Sequence, residues 1–323
     1  MRAVKLSGLI AMLAMTSVSV AQPLPANYPD RPIRLIIGSA PGSGPDIIAR
    51  VLAERLWKSW NQRVVVDSRP GAAGTISAEI AMRAAPDGYT WMILTSQLLI
   101  ASAVFPNLKF DLERDFVSVA RIGTVPFVLM VNPQVPAKSV AELIALAKKS
   151  PGTLRYGSAG TGGGEHLTAV KFTHMTGTDM LHVPYKGIPQ AVADTIAHEL
   201  HMTFAVFPVA FPHVQSGRLR GLGITTRHRS ALLADVPPIA DTVPGYDTYG
   251  WYSVVAPTGT PAAILDKISA EVIRAVKEPE FGEQLRGLGI DISPGTRAEL
   301  DVFRRSETKR VVDLVKVAGL QLK

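Results

Sequence analysis

The chain has 323 residues, more than one hydrophobic core usually supports, so we predict two medium-sized lobes. It carries a formal charge of +7 and no cysteine. The lack of cysteine excludes disulfides, cysteine-ligated zinc, thiolate catalysis and the lipid-bearing cysteine of a surface lipoprotein. The basic residues form no run with interleaved aromatic residues, so we expect no nucleic-acid partner, while the excess positive charge favours anionic solutes.

The N-terminus has the pattern of a secretory signal peptide. Arg2 and Lys5 precede an apolar stretch from Leu6 to Val18, and small residues at Ser19 and Ala21 predict cleavage before residue 22. No later stretch is long and apolar enough to span a bilayer. An exported chain without disulfides predicts a periplasmic protein.

The first notable stretch of the mature chain runs from Arg34 to Asp46 and reads RLIIGSAPGSGPD. Its apolar start predicts a buried strand, and the i, i+4 apolar spacing after Asp46 predicts a helix. Ser43 and Asp46 have the spacing of a capping box. A strand that leads through a small-residue loop to a helix N-terminus can bind an anion, although such a loop is also common without a ligand.

The same alternation of strand, loop and helix continues along the chain. The loop Arg69–Gly74 repeats the device, and a strand over Trp91–Leu94 ends in Thr95 and Ser96, which could hydrogen-bond a ligand above the strand tip. A second glycine-rich loop, SAGTGGG at 158–164, follows another strand and precedes a helix near Glu165. Two such loops far apart in sequence predict half-sites on two lobes that close around one small anion.

Motifs of enzymes and metal sites are weak in this sequence. Neither Ser43 nor Ser158 lies in G-x-S-x-G, and neither glycine loop has the nucleotide-binding or P-loop spacing. The histidines lack metal-ligand spacing, so we expect no metal and no cofactor. Asp46 and Glu165 are explained as helix-start residues. An exported hydrolase or transferase using Ser158 and His166 remains the main alternative, and a scaffold or sensor domain that binds a protein partner is a third.

Six segments follow one another along the mature chain: YPDRPIRLIIGSAPGSGPDIIAR, VVVDSRPGAAGTISAEIAMRAAPDGYT, SAGTGGGEHL, HVPYKG, SGRLRGLGITT and WYSVVAPTGTP. In this ordered set the chain resembles the Bug family of periplasmic solute receptors, which includes the receptors of tripartite tricarboxylate transporters, and the resemblance covers essentially the whole mature chain. It implies a two-lobed α/β periplasmic-binding-protein fold, a Venus flytrap in which each lobe is a sheet flanked by helices. We expect a signal peptide at 1–21, lobe 1 at 22–123 and 250–323, and lobe 2 at 124–249, with hinges near Gly123 and Gly250.

The resemblance also implies the site residues. In that family a ligand carboxylate is held at the first strand–helix loop, and the glycine loop of the middle lobe completes the cleft. By position, these are Ala40, Pro41, Gly42, Ser43 and Asp46 in the first loop and Ser158, Ala159, Gly160, Thr161, Gly162 and Gly163 in the second. His166 matches a family histidine that orients the loop or touches the ligand, and Tyr185 lies in a candidate rim loop.

Two departures from the family pattern bear on the ligand. Ser43 and Pro45 replace the commoner glycine and threonine of the first loop. Ala205 stands where the family often has aspartate, which an amino acid would need for its ammonium group. The sequence therefore favours a plain carboxylate or an apolar-tailed acid. The prediction is a non-enzymatic, monomeric periplasmic receptor for a small organic anion, which would be delivered to the membrane subunits of a tripartite tricarboxylate transporter or to a signalling partner.

Overall fold

The fold is given by a computed structural model that describes residues 27–105 and 107–317. The predicted signal peptide lies outside these residues. The described part contains ten strands: β1 Ile33–Ile37, β2 Val64–Ser68, β3 Thr90–Thr95, β4 Phe116–Val131, β5 Arg155–Ser158, β6 Leu181–Pro184, β7 Met202–Val206, β8 Arg220–Ile224, β9 Tyr249–Pro257 and β10 Asp291–Gly295. It contains eleven α-helices: α1 Gly44–Trp60, α2 Thr75–Met82, α3 Ser96–Val104, α4 Leu112–Asp115, α5 Val140–Lys149, α6 Gly164–Thr176, α7 Ile188–Ile196, α8 Phe207–Gln215, α9 Ala262–Lys277, α10 Pro279–Gly287 and α11 Arg297–Val317.

The strands form two sheets that share β4. The first has the order β2-β1-β3-β9-β4, and the second continues β4-β7-β5-β6, with β10 and β8 also paired to β4. In the first sheet, β2, β1 and β3 are parallel, and β9 pairs antiparallel with both β3 and β4. In the second sheet, β6, β5 and β7 are parallel, and β7 pairs antiparallel with β4. This is the two-lobed α/β architecture that the sequence predicts.

The long strand β4 carries the chain from one sheet to the other. Pro126 still pairs with Tyr249 of β9, whereas Phe127 pairs with Val206 of β7. The apolar stretches 117–122 and 127–131 therefore belong to one strand that changes partners. The change lies three residues beyond Gly123, whose added Cβ would lie 2.5 Å from the backbone oxygen of Asp291. Gly123 itself is thus packed against β10.

Apolar spacing along the helices matches the faces that are buried. In α1, Ile48, Leu52 and Leu56 are fully covered, as the i, i+4 pattern predicts. The segment 230–250 leads from β8 of the second sheet to β9 of the first and packs against the second sheet. Tyr246 in this segment is completely buried and donates its hydroxyl proton to the backbone oxygen of Thr168, 2.8 Å away in α6.

The helix starts follow the sequence signals only in part. Before α11, Thr296 and Glu299 form a capping box, since each side chain accepts from the backbone N–H of the other. The capping box predicted for Ser43 and Asp46 is wrong. Ser43 makes no side-chain cap hydrogen bond, and the Asp46 carboxylate accepts from the backbone N–H of Gly42, not from that of Ser43. No helix of the described residues is long and apolar enough to cross a bilayer.

Candidate functional site

A cavity lies between the two sheets, at the carboxyl ends of their parallel strands. Ligands bind at this edge in open α/β sheets because the loops and helix starts that follow the strands meet there. The cavity encloses about 590 Å³, counting its opening to solvent. Both sheets and their crossing strands line it: Gly38, Ser39, Ala40, Ser43, Gly44, Pro45, Gly71, Ala73, Thr95, Ser96, Gln97, Phe127, Ala159, Gly164, Glu165, Lys186, Gly187, Ile188, Val206, Gly250, Trp251 and Tyr252.

The first wall is the loop from β1 to α1. Gly42 has a φ of +76°, which a side chain would strain, and its N–H donates to Oδ2 of Asp46 at 2.9 Å. Asp46 is buried and also pairs with Arg50, so its carboxylate is engaged inside the loop. Ser43 occupies the N-cap position of α1, but its side chain makes no cap hydrogen bond. Its hydroxyl is therefore left to the cavity.

The second wall is the loop from β5 to α6, and it is built in the same way. Gly162 has a φ of +77°, and its N–H donates to Nδ1 of His166 at 3.1 Å. An imidazole nitrogen that accepts this bond carries no proton, so His166 is neutral in this arrangement. Burial lowers the pKa of His166 to about 4, in agreement with a neutral ring. His166 thus orients the loop and does not line the cavity.

Four helix N-termini point at the cavity. Gly44, Ser96, Gly164 and Ile188 are the first residues of α1, α3, α6 and α7, and all four line it. The first N–H groups of a helix have no partner within the helix, and the helix dipole makes that end positive. Of the corresponding N-cap residues, Thr95 accepts from the N–H of Leu98 through its side chain, whereas Gly163 and Gly187 have no side chain to do so. The arrangement favours an anion.

Three buried polar side-chain atoms of the cavity wall have no hydrogen-bond partner among the described residues. They are Oγ of Ser43, Oε2 of Glu165 and the hydroxyl oxygen of Tyr252. These side chains come from α1, α6 and β9, and each is at least nine-tenths buried. Native proteins rarely leave buried polar atoms unpaired, because each costs about 1–3 kcal/mol. Such a cluster therefore marks a place where a polar ligand or ordered water completes the hydrogen bonding.

Ionisable groups in the wall are few, and Glu165 is the one most affected by burial. Burial raises the pKa of its carboxyl to about 7, although its own backbone N–H favours the ionised form. Burial, together with the charge of Glu165, raises the pKa of the Tyr252 hydroxyl well above its usual range, so that hydroxyl keeps its proton. Lys186, an exposed residue of the cavity wall, adds a positive charge. The cavity therefore offers donors of several kinds to an anion.

The structure brings five of the predicted site residues to the cavity wall: Ala40, Ser43, Thr95, Ser96 and Ala159. The others lie behind it or beside it. Pro41 and Thr161 are exposed, and Gly160 and Gly163 shape the second loop. Tyr185 turns away and donates to Asp194 at 2.6 Å. Ala205 is buried in the core, and its neighbour Val206 reaches the cavity instead. The assignment of the binding residues stays a prediction.

The serine of the alternative enzyme hypothesis does not face the cavity. Ser158 is completely buried, and its Oγ lies 2.7 Å from Nε2 of His182, not from His166. The rings of His166 and His182 stack with centroids 4.1 Å apart. Oγ of Ser158 also lies within hydrogen-bond distance of the backbone oxygen and nitrogen of Gly160. Ser158 and His182 therefore support the loop, and neither lines the cavity.

Sequence reasoning missed several wall residues. Glu165 was explained as a helix-start residue, and the loop containing Lys186 was given only as a rim. Trp251 and Tyr252 belong to a segment quoted for its resemblance but not assigned a role. A signal existed for Gly71 and Ala73, because their loop repeats the device of the first one. Groups of ionisable residues that could hold a metal ion are absent from the described ranges.

Comparison with known proteins gives a consistent family. The family model described as "Tripartite tricarboxylate transporter family receptor" matches residues 48–320. The chain is 33% identical over 308 residues to a UPF0065 protein in the tcbD-tcbE intergenic region of Pseudomonas sp. strain P51, covering 95% of this chain and 91% of that protein. It is 31% identical over 313 residues to Protein BugT of Bordetella pertussis, covering 96% of each chain.

The fold has a solved counterpart in R. palustris. The structure of Rpa4515 with adipate superposes with a TM-score of 0.89 at 32% sequence identity. The superposition covers 91% of this chain and 99% of that one. The described fold, with its two sheets and shared strand, is therefore that of a solute-binding receptor, in agreement with the two-lobed architecture predicted from the sequence.

Proposed function

Since the chain belongs to the tripartite tricarboxylate transporter receptor family, in its Bug-like branch, we propose that it holds a small organic carboxylate in the cavity between its lobes. The matched family consists of receptors, so the prediction of a non-enzymatic protein is confirmed. The proposal adds the site, the ligand class and the route of delivery. In this proposal the receptor works in the periplasm and delivers its ligand to the membrane subunits of a tripartite transporter.

One observation carries the proposal. Four helix N-termini and three buried, unpartnered polar atoms converge on a single cavity. A carboxylate accepts several hydrogen bonds through two oxygens and takes its stabilisation from the positive ends of the helix dipoles. Hydroxyls of Ser43 and Tyr252 supply uncharged donors in addition. A carboxylate group can accept from the helix N–H groups and from both hydroxyls at once.

The rest of the wall favours an aliphatic chain behind the carboxylate. Phe127, Ile188 and Val206 give the cavity an apolar side. Position 205, where an acidic residue would suit an amino acid, holds an alanine buried in the core. Lys186 could pair with a second carboxylate at the far end of a dicarboxylate. The R. palustris relative with adipate is consistent with a ligand of this class.

Calorimetric titration of the natively purified protein tests the proposal. The panel would contain linear dicarboxylates of three to eight carbons, tricarboxylates and aromatic acids, with the diamide of each linear acid as an uncharged control of the same length. We expect at least one acid to bind while its diamide does not. Binding of a diamide as tightly as its acid would contradict the carboxylate site. No binding by any acid would instead favour the scaffold or sensor hypothesis.

A further inference from the structure

We propose that Glu165 recognises the ligand carboxylate as a protonated carboxylic acid, so that each bound anion is accompanied by one proton on the Glu165 side chain. This inference rests on the proposed function and specifies how the same cavity accepts its ligand. It makes Glu165 a specificity-determining residue and makes affinity depend on pH in the neutral range. The hydrogen bond that closes this loop, from the N–H of Gly162 to His166, does not involve Glu165.

The position of Glu165 is the first argument. It is the second residue of α6, only 6% exposed, and its Oε2 has no hydrogen-bond partner within the described ranges. A β-carbon built on Gly163 would lie 3.6 Å from this oxygen and 3.5 Å from Nε2 of Gln97, which belongs to the other lobe. Glu165 therefore faces the space between the lobes, where the ligand is proposed to lie.

The charge of the neighbouring groups is the second argument. An ionised Glu165 and a ligand carboxylate in one cavity would repel each other strongly, since two carboxylates that share a site rarely both ionise. A protonated Glu165 avoids this repulsion and donates its O–H to the ligand oxygen, in a short bond assisted by the ligand's charge. This hydrogen bond also gives Oε2 the partner that it lacks among the described residues.

The titratable groups around Glu165 leave the proton with it. On β9, Tyr252 keeps its hydroxyl proton, and on α6 the neighbouring His166 is neutral. On α1, the Asp46 carboxylate is bound by the N–H of Gly42 and by Arg50. On α11, Glu307 accepts from the indole N–H of Trp251 and is paired with Arg310. Lys186, on the loop before α7, is the cation of the wall. The residues of α3 and β7 carry no ionisable side chain.

The acidity of Glu165 supports a change of protonation near neutral pH. Its pKa is raised by burial to about 7, so the free receptor contains both forms at pH 7. A bound anion raises this pKa further, and binding must then take up a proton from solution. Affinity is therefore constant well below pH 7 and falls about tenfold per pH unit well above it.

The test is a titration of the full-length mature receptor with adipate between pH 6.5 and pH 8.5. The protonated fraction of a group with a pKa of about 7 falls from about 76% to about 3% over this range, so affinity should weaken about 25-fold. Calorimetry at pH 7.5 in two buffers of different ionisation enthalpy should report uptake of about 0.8 proton per ligand. Glu165→Gln retains a donor but has no proton to titrate, so its profile should be flat. Glu54→Gln, at an exposed pair with Lys58, should keep the wild-type profile.

The outcomes separate the two proposals. Adipate binding that is independent of pH, or pH dependence that persists in Glu165→Gln, overturns the role of Glu165 and leaves the carboxylate site standing. Affinity that rises with pH also overturns it, because an ionised Glu165 would then accept a hydrogen bond from the ligand. If adipate and every other acid of the panel fail to bind at any pH, the proposed function fails and this inference fails with it.

Discussion

The backbone N–H of Gly162 donates to Nδ1 of His166 over 3.1 Å, and the N–H of Gly42 donates to Asp46 over 2.9 Å. In both loops a glycine with positive φ is held by the side chain four residues later, which lies within the first turn of the following helix. The two halves of the cavity are thus built by one device. Different chemistry holds them, because one acceptor is a carboxylate and the other an imidazole.

The imidazole makes the stability of the second loop sensitive to acid. The pKa of His166 and that of His182 are both lowered to about 4, first by burial, whereas an unfolded histidine titrates near its ordinary 6.5. Between pH 6.5 and pH 4 the unfolded chain binds more protons, so the free energy of unfolding contributed by these residues falls as pH falls. Above pH 6.5 that contribution is complete.

Chemical denaturation across this range checks the prediction, in the Glu165→Gln background. The background is needed because Glu165 has a raised pKa and affects the free energy of unfolding in the opposite sense. Its contribution to that free energy is lost as pH rises from about 4.5 to about 7. Adding His166→Asn, whose amide oxygen can accept from Gly162, should flatten the acid-side decline. The exposed control His228→Asn should not change it. An unchanged slope in His166→Asn would show that the imidazole does not titrate with folding.

The carboxylate of the first loop gives a second prediction. Asp46→Ala leaves the N–H of Gly42 without its acceptor and frees the loop that presents Ser43 to the cavity. We expect a loss of about 0.5–2 kcal/mol in the free energy of unfolding, as for removal of a helix-start acceptor, together with weaker ligand binding. Arg50→Ala removes only the exposed partner of Asp46 and should cost less than about 1 kcal/mol. Equal losses in the two variants would mean that the ion pair, and not the loop bond, holds this turn.

Gly44 packs tightly against the second sheet, which gives a third prediction. A β-carbon there would lie 2.4 Å from the Tyr252 hydroxyl oxygen and 2.5 Å from Cγ2 of Val206, which belongs to the second sheet. Gly44→Ala should therefore hold the lobes apart and lower ligand affinity at least about tenfold, although alanine is the better helix former. Gly287→Ala in α10, where an added carbon meets nothing within 4 Å, should leave affinity unchanged. Calorimetry with an acid that binds the wild type compares the two variants.

Much of this fold follows from local patterns in the sequence. The apolar run that predicts β1 and the i, i+4 spacing that predicts α1 describe elements whose burial is decided by their own residues. The path of β4 could not be read in this way. A strand that changes partners at Phe127 has no local signature, because both of its partners come from distant parts of the chain.

The sequence allowed the two glycine loops of the site to be predicted, but not the other residues of the cavity wall. The glycine loops were visible because a run of small residues between a strand and a helix is a local pattern in the sequence. Glu165 was overlooked because an acidic residue in a first helical turn is explained by the helix dipole alone. Its burial is imposed by Phe127, Tyr252 and other residues of the crossing strands, which only the tertiary fold brings near.

The last prediction concerns closure of the lobes around the ligand. Ala40 in the first loop and Gly187 before α7 face each other across the cavity mouth, and a β-carbon built on Gly187 would lie 2.8 Å from that of Ala40. A disulfide needs Cβ atoms about 3.5–4.5 Å apart, so a small opening of the lobes would accommodate one. The natural chain contains no cysteine, and the pair Ala40→Cys with Gly187→Cys would therefore have no competing thiols.

If ligand enters only when the lobes separate, the oxidised double variant should neither take up nor release an acid that binds the wild type. Stopped-flow exchange with a labelled acid should show this block, and reduction with dithiothreitol should restore exchange. Each single cysteine variant, treated with the same oxidant, separates the effect of the cross-link from that of the substitution at the mouth. Because Pro126 and Phe127 lie where β4 changes sheets, the opening motion should bend the chain there and near Tyr249. Exchange at the wild-type rate in the oxidised form would mean that the ligand enters without separation of the lobes, by a path that does not pass between Ala40 and Gly187.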